Sequence, residues 1–147
     1  MKKISFALLS MGMISVAGAA DITIFFSPSC PHCHHARDFI NNELIYEYDN
    51  LAVMEVDATM SENRQEFIDA LQKCKYESGG VPVMVIGEKC FQGYGDGMQD
   101  DLRSAVEVDL TDAQKQSAKN NRSEMEKDKD GFVASHESRK AAVKSRN

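Results

Sequence analysis

Two cysteines separated by two residues, in Cys30-Pro31-His32-Cys33, follow closely on a short β-branched and aromatic run, Ile22 to Phe26. That order restricts what the chain can become. The apolar run reads as a buried strand. Ser29 or Cys30 then opens a helix that continues to about Glu47, with Phe39, Ile40 and Leu44 on one face. Cysteines so spaced at a helix start lie one turn apart, close enough to bridge. The first also meets the unpaired amides and the positive dipole end of the helix, and both favour a thiolate. A thiolate attacks a disulfide, and a second thiol resolves the mixed disulfide that results. A free thiol has a pKa near ~8.5, which such motifs lower to roughly 3.5–7.5. Pro31 fits the first helical turn, where its missing N–H needs no partner. His32, when protonated, adds positive charge beside Cys30. Cys30 is therefore the expected nucleophile and Cys33 the resolving thiol.

The elements that follow alternate. Leu51 to Val56 reads as a second strand, and Ser61-Glu62-Asn63-Arg64 leads into a helix with Phe67, Ile68 and Leu71 at helical spacing. Gly79-Gly80 ends that unit. Val81 to Ile86 forms a third strand, and Gly87-Glu88 turns it into a fourth, Lys89 to Gln92. Gly93 to Gly97 is a loop, and Asp100 to Val108 a last helix. The order β-α-β-α-β-β-α predicts an α/β fold with a four-stranded mixed sheet flanked by helices.

Charge and composition divide the chain into three parts. Lys2 and Lys3, the uncharged apolar stretch Ile4 to Val16, and Ala17-Gly18-Ala19-Ala20 have the order of a secretory signal, cleaved after Ala19 or Ala20. The apolar stretch is shorter than the ~20 residues of a spanning helix, so no stable membrane anchor is expected after cleavage. Residues 21–110 carry seventeen acidic and six basic residues, and can bury a core. Residues 111–147 carry six acidic and nine basic residues with few large apolar ones, and predict a polar, partly helical extension. An acidic folded part and a tail without interleaved aromatics exclude a nucleic-acid-binding design. Export places the cysteines in an oxidising compartment, where pairs persist as disulfides. Cys30, Cys33, Cys74 and Cys90 permit three pairings. A Cys74–Cys90 bridge is expected as a staple, with a second electron-relay pair as the other reading.

The strand, the Cys-x-x-Cys helix and the Val81-Pro82 strand together resemble the thioredoxin superfamily over about residues 21–108. The short span between the second strand and Pro82 resembles a glutaredoxin, as does Phe91-Gln92-Gly93-Tyr94-Gly95-Asp96. The Pro31-His32 dipeptide and Phe25-Phe26-Ser27 look like the periplasmic DsbA oxidases. The resemblance implies a thioredoxin-like, glutaredoxin-size fold and a thiol–disulfide oxidoreductase, and the short hydrophobic signal and small size fit a location in a bacterial periplasm. The resemblance further implies a cis Pro82 that, with Val81, Pro31 and His32, shapes a substrate groove. Expected partners are exported proteins bearing thiols or disulfides, small thiols such as glutathione, and a redox partner protein. No organic cofactor is implied. Gly80 stands where many glutaredoxins carry Thr, and Ile24 roughly where thioredoxins bury an acid.

A rival class is a metal-binding protein in which the dithiol is a passive clasp. His32, His34 and His35 beside Cys30 and Cys33 have the donor types of a zinc or copper site. In the tail, residues 126–137 have the twelve-residue spacing that resembles a single EF-hand loop. Calcium ligands would be Glu126, Asp128, Asp130, Phe132 through its carbonyl, and Glu137, with Gly131 at the sharp turn. Thr111-Asp112-Ala113-Gln114 reads as the capping box of a preceding helix.

Overall fold

A computed structural model describes residues 21–147, and the expected signal at 1–20 lies outside the described residues. Strand β1 (Ile22–Phe26) leads into helix α1 (Pro31–Phe39), which continues through a π-helical turn, Ile40–Leu44, into α2 (Ile45–Glu47). There follow β2 (Val53–Asp57), α3 (Arg64–Cys74), the hairpin β3 (Val83–Ile86) and β4 (Lys89–Gln92), and α4 (Gln99–Val106). The chain ends in α5 (Asp112–Lys127), α6 (Lys129–Ser135) and β5 (Val143–Arg146). The sheet order is β4-β3-β1-β2-β5. Strand β1 runs parallel to β2 and antiparallel to β3. This is the expected thioredoxin-like architecture, with one correction. Among the described residues the sheet has five strands rather than four, because β5 from the C-terminal segment pairs in parallel with β2, Val53 opposite Val143 and Val56 opposite Arg146.

Alternation along β1 builds two cores, since successive side chains leave a strand on opposite faces. Ile22 and Ile24 join Ala36, Phe39, Ile40, Leu44, Met84 and Leu102 in the larger cluster, under α1, α2, α4 and α5. On the other face Phe25, Val56 and Val83 pack with Ala70, and with Phe67 and Leu71 of α3. Each large side chain so buried contributes about 1.5–3 kcal/mol. With both faces covered, the ends of the strands are left to present functional groups. Among the described residues no helix is long and apolar enough to cross a membrane.

The compositional step at 110/111 does not coincide with a change of core. Ala118 and Met125 of α5 belong to the larger cluster and are 1% and 5% exposed. Thr111 caps α5 through the expected box: its hydroxyl accepts from Gln114 N–H, and the Gln114 side chain accepts from Thr111 N–H. Charge fixes the helix sideways. Glu47 at the end of α2 is fully buried, and both its oxygens are held by Arg103 of α4, at 2.7 and 2.9 Å, and by Arg122 of α5, at 2.9 Å. Asn121 donates to the Glu47 carbonyl at 2.9 Å, and Arg139 reaches the Tyr46 carbonyl and Asp49. A segment with little apolar surface is thus bound to the domain by ion pairs whose shared carboxylate has no water to turn to. Met125→Ala should lower global stability by about 2–4 kcal/mol in urea unfolding. A midpoint unchanged from the parent would mean that α5 stands free.

Candidate functional site

The dithiol lies where β1 gives way to α1. Cys30 N–H donates to Ser27 O at 3.1 Å, which closes the turn, and Cys30 takes an extended conformation (φ −92°, ψ 112°) as the N-cap of α1. At that position most helices place a Ser, Thr, Asp or Asn oxygen. Here the acceptor is sulfur: Cys33 N–H donates to Cys30 Sγ at 3.1 Å. Pro31 occupies the first turn as expected. A helix amide aimed at a sulfur stabilises the thiolate more than the thiol, so the geometry favours the thiolate form at Cys30. In the structure the two sulfurs are joined as a disulfide, with Cα atoms 5.2 Å apart. Cys30 is half-buried and Cys33 is 1% exposed. The asymmetry separates an outer, half-buried sulfur from an inner, buried one.

Val81 and Pro82 stand against the outer sulfur. The Val81–Pro82 peptide is cis, and Val81 O lies 3.6 Å from Cys30 Sγ, positioned to accept from the thiol form. Pro82 is buried, and its carbonyl accepts from Gly93 N–H at 2.8 Å. Of the groove residues read from sequence, the fold therefore brings Val81 and Pro82 to Cys30 and leaves Pro31 and His32 exposed beside it. His34 and His35 are exposed as well, and His34 Nε2 is engaged with Pro28 O at 2.9 Å. Cys74 and Cys90 are joined to each other, with Cα atoms 5.7 Å apart, and tie the end of α3 to β4.

The donors of the rival metal readings are not gathered. Among the described residues no group of three or more His, Cys, Asp or Glu side chains is placed to hold a metal ion. The twelve-residue loop expected at 126–137 does not form, because its residues are helical. Helix α5 extends through Lys127 and α6 starts at Lys129. The Asp128 carboxylate, expected as a ligand, instead caps α6 by accepting from Gly131 N–H at 3.0 Å. Phe132 O accepts from Ser135 Oγ and His136, and Glu137 pairs with Lys140 at 3.4 Å. Asp130 lies within α6 and Glu126 within α5, both exposed. Mixed-sign charges and a good N-cap serve a helix as well as a loop, and here the helix prevails.

Sequence reasoning missed a buried carboxylate. Glu55 on β2 is 1% exposed and accepts from Arg37 at 2.6 Å, Asn41 at 2.8 Å and Ser145 at 3.0 Å. Arg37 lies one helical turn after Cys33 and its guanidinium covers the Phe26 ring at 4.1 Å. Glu55 thus joins the dithiol helix, the sheet and β5. The signal was present as a lone Glu inside an apolar strand, but its donors come from distant segments. Burial by itself raises the Glu55 pKa, yet the hydrogen bonds from Arg37, Asn41 and Ser145, with the Arg37 charge, outweigh it and hold the carboxyl below its usual range.

No family model matches the chain, and no curated protein matches it. Among solved structures it is similar to the glutaredoxin of Archaeoglobus fulgidus, at 20% identity and a TM-score of 0.46, over 60% of this chain and 88% of that one.

Two outcomes follow from the geometry. After full reduction, brief exposure to iodoacetamide at neutral pH should modify Cys30 at least about tenfold faster than Cys33, read by peptide mass spectrometry. Equal rates would remove the distinction between outer and inner sulfur. A carboxyl with a lowered folded pKa contributes stability above its unfolded value of about 4.3, and that contribution is lost as pH falls through the folded value. Urea midpoints measured between pH 6 and pH 3 should therefore fall less steeply with acid in Glu55→Gln than in the parent. Parallel curves would show that Glu55 does not contribute.

Proposed function

We propose that the chain is a thiol–disulfide oxidoreductase working outside the cytosol, in a periplasm-like oxidising compartment, on exported proteins or small thiols. The observation that carries the reading is the N-cap sulfur: Cys30 Sγ accepts from Cys33 N–H and lies beside the Val81 carbonyl, with Cys33 buried behind it. The fold and the Cys30–Cys33 pair support thiol–disulfide redox chemistry. The signal-like first twenty residues support export, and a second disulfide at Cys74–Cys90 accords with an oxidising destination.

The exchange balances without any other group. In the reducing direction the Cys30 thiolate attacks one sulfur of a partner disulfide. A mixed disulfide forms, and the partner's other sulfur leaves as a thiolate that takes a proton from solvent. Cys33, deprotonated in turn, attacks Cys30 Sγ, closes the Cys30–Cys33 bond and releases the partner's second thiolate. The partner gains two electrons and the dithiol loses two. The reverse sequence oxidises a partner dithiol. The backbone amide of Cys33 stabilises Cys30 as attacking thiolate and as leaving group, so it acts in both directions.

Cys30→Ser should lower both insulin reduction and the refolding of a reduced, scrambled substrate by at least about a hundredfold. Cys33→Ser should instead accumulate a mixed disulfide that a mobility-shift gel resolves. Full activity in Cys30→Ser would defeat the proposal and return the dithiol to a clasp.

A further inference from the structure

The wall of the groove facing Cys30 is made by a segment with little structure of its own. After α3 the chain turns at Lys75, which takes a left-handed conformation (φ 57°), and residues 77–80 are exposed before the chain reaches Val81. Val81 nevertheless presents its carbonyl 3.6 Å from Cys30 Sγ. Something must hold the segment in place.

Two contacts from β4 do so. Gln92 Nε2 donates to Ser78 O at 2.8 Å and to Gly80 O at 2.9 Å, so one side-chain amide uses both its hydrogens on the exposed segment. Cys90, two residues earlier on the same strand, is bonded to Cys74 at the end of α3. Side chains two apart on a strand leave the same face, so the disulfide and the amide hold the segment from one side. One fixes where it departs from α3, and the other fixes its carbonyls just before Val81. The strand itself is set by its ladder with β3, in which Val83 faces Gln92 and Val85 faces Cys90.

We propose that Gln92 and the Cys74–Cys90 disulfide are positioning groups for the proposed exchange reaction, holding the Ser78–Val81 segment as the preformed wall on which a partner's disulfide docks beside Cys30. The inference rests on the reading given above under Proposed function. It makes the second disulfide neither an inert staple nor an electron relay. Its role is to preserve the shape of the groove, and neither group exchanges electrons with the partner. Loosening the wall costs docking, because each partner must then order the segment as it binds. Once a partner is seated, the chemistry at Cys30 is unaltered.

The test is a split between KM and kcat. Gln92→Glu replaces the amide by a carboxylate of nearly the same size that cannot donate to Ser78 O and Gly80 O. The double variant Cys74→Ser/Cys90→Ser removes the bridge. With insulin as substrate, each should raise KM about fivefold or more while kcat changes less than about twofold. A role confined to stability would lower the urea midpoint and leave the KM of the folded fraction as it was. If the bridge variant fails to fold, Gln92→Glu decides alone. An unchanged KM in Gln92→Glu, or an equal loss in kcat, overturns the inference while leaving the exchange reaction intact. Absence of Cys30-dependent exchange in the parent chain overturns both.

Discussion

A carboxylate without water must find its donors inside the protein, and Glu47 finds them only where three helices meet. Arg103 comes from α4 and Arg122 from α5, and both must reach the end of α2 for the charge to be tolerated. Removing one member of such a buried set leaves the rest uncompensated, typically at several kcal/mol. The requirement organises more than its own corner. It draws the polar C-terminal segment onto the face of the sheet opposite α3, seats Ala118 and Met125 in the larger cluster, and sets the direction in which the chain returns towards β2. Helix α1, which carries the dithiol, packs within that same layer.

The parts of this architecture legible in the sequence were those set by local pattern. A β-branched and aromatic run marked β1, an apolar run after Gly79-Gly80 marked β3, helical spacing marked α1 and α3, and Gly87-Glu88 marked the hairpin. The Thr111–Gln114 capping box was also visible, because a cap is a contact between near neighbours. The fifth strand was hidden. Val143-Lys144-Ser145-Arg146 has one apolar residue in four, and it becomes a strand only because β2 offers a ladder and Glu55 a partner for Ser145. Tertiary context decides such cases, since strand propensity mostly reports a fit to a half-buried surface. The tail is partly helical as its composition predicts, but the EF-hand reading of residues 126–137 failed for a related reason. The spacing of its acids and Gly131 satisfies a ligand template, but nothing in the spacing states that Asp128 caps a helix.

The site divides in the same way. Cys30, Cys33 and Pro31 could be placed from their spacing, because a helix start dictates their geometry. Val81 and Pro82 could be placed only through resemblance, since the antiparallel pairing of β3 with β1 brings them to the dithiol across about fifty residues of chain. Gln92 carried no local sign of its role, and Glu55 showed only as a Glu within an apolar strand, with nothing local to name its donors. Each acts through side-chain hydrogen bonds to groups far away in sequence.

The strand at the end of the chain also affects how the molecule behaves among its own copies. Without it, β2 would form the rim of the sheet and offer the backbone of Val53, Met54, Glu55 and Val56 to any passing strand. A row of unpaired amides and carbonyls flanked by valines is a template for intermolecular pairing. Strand β5 takes that place with four residues, of which Lys144 and Arg146 are cationic and exposed. A longer and more apolar rim is exchanged for a short one that carries the exposed Lys144, with Arg146 paired to Glu66, and charge on an edge strand disfavours pairing with another chain. The C-terminal segment therefore contributes colloidal protection, in addition to the packing it shares with the core.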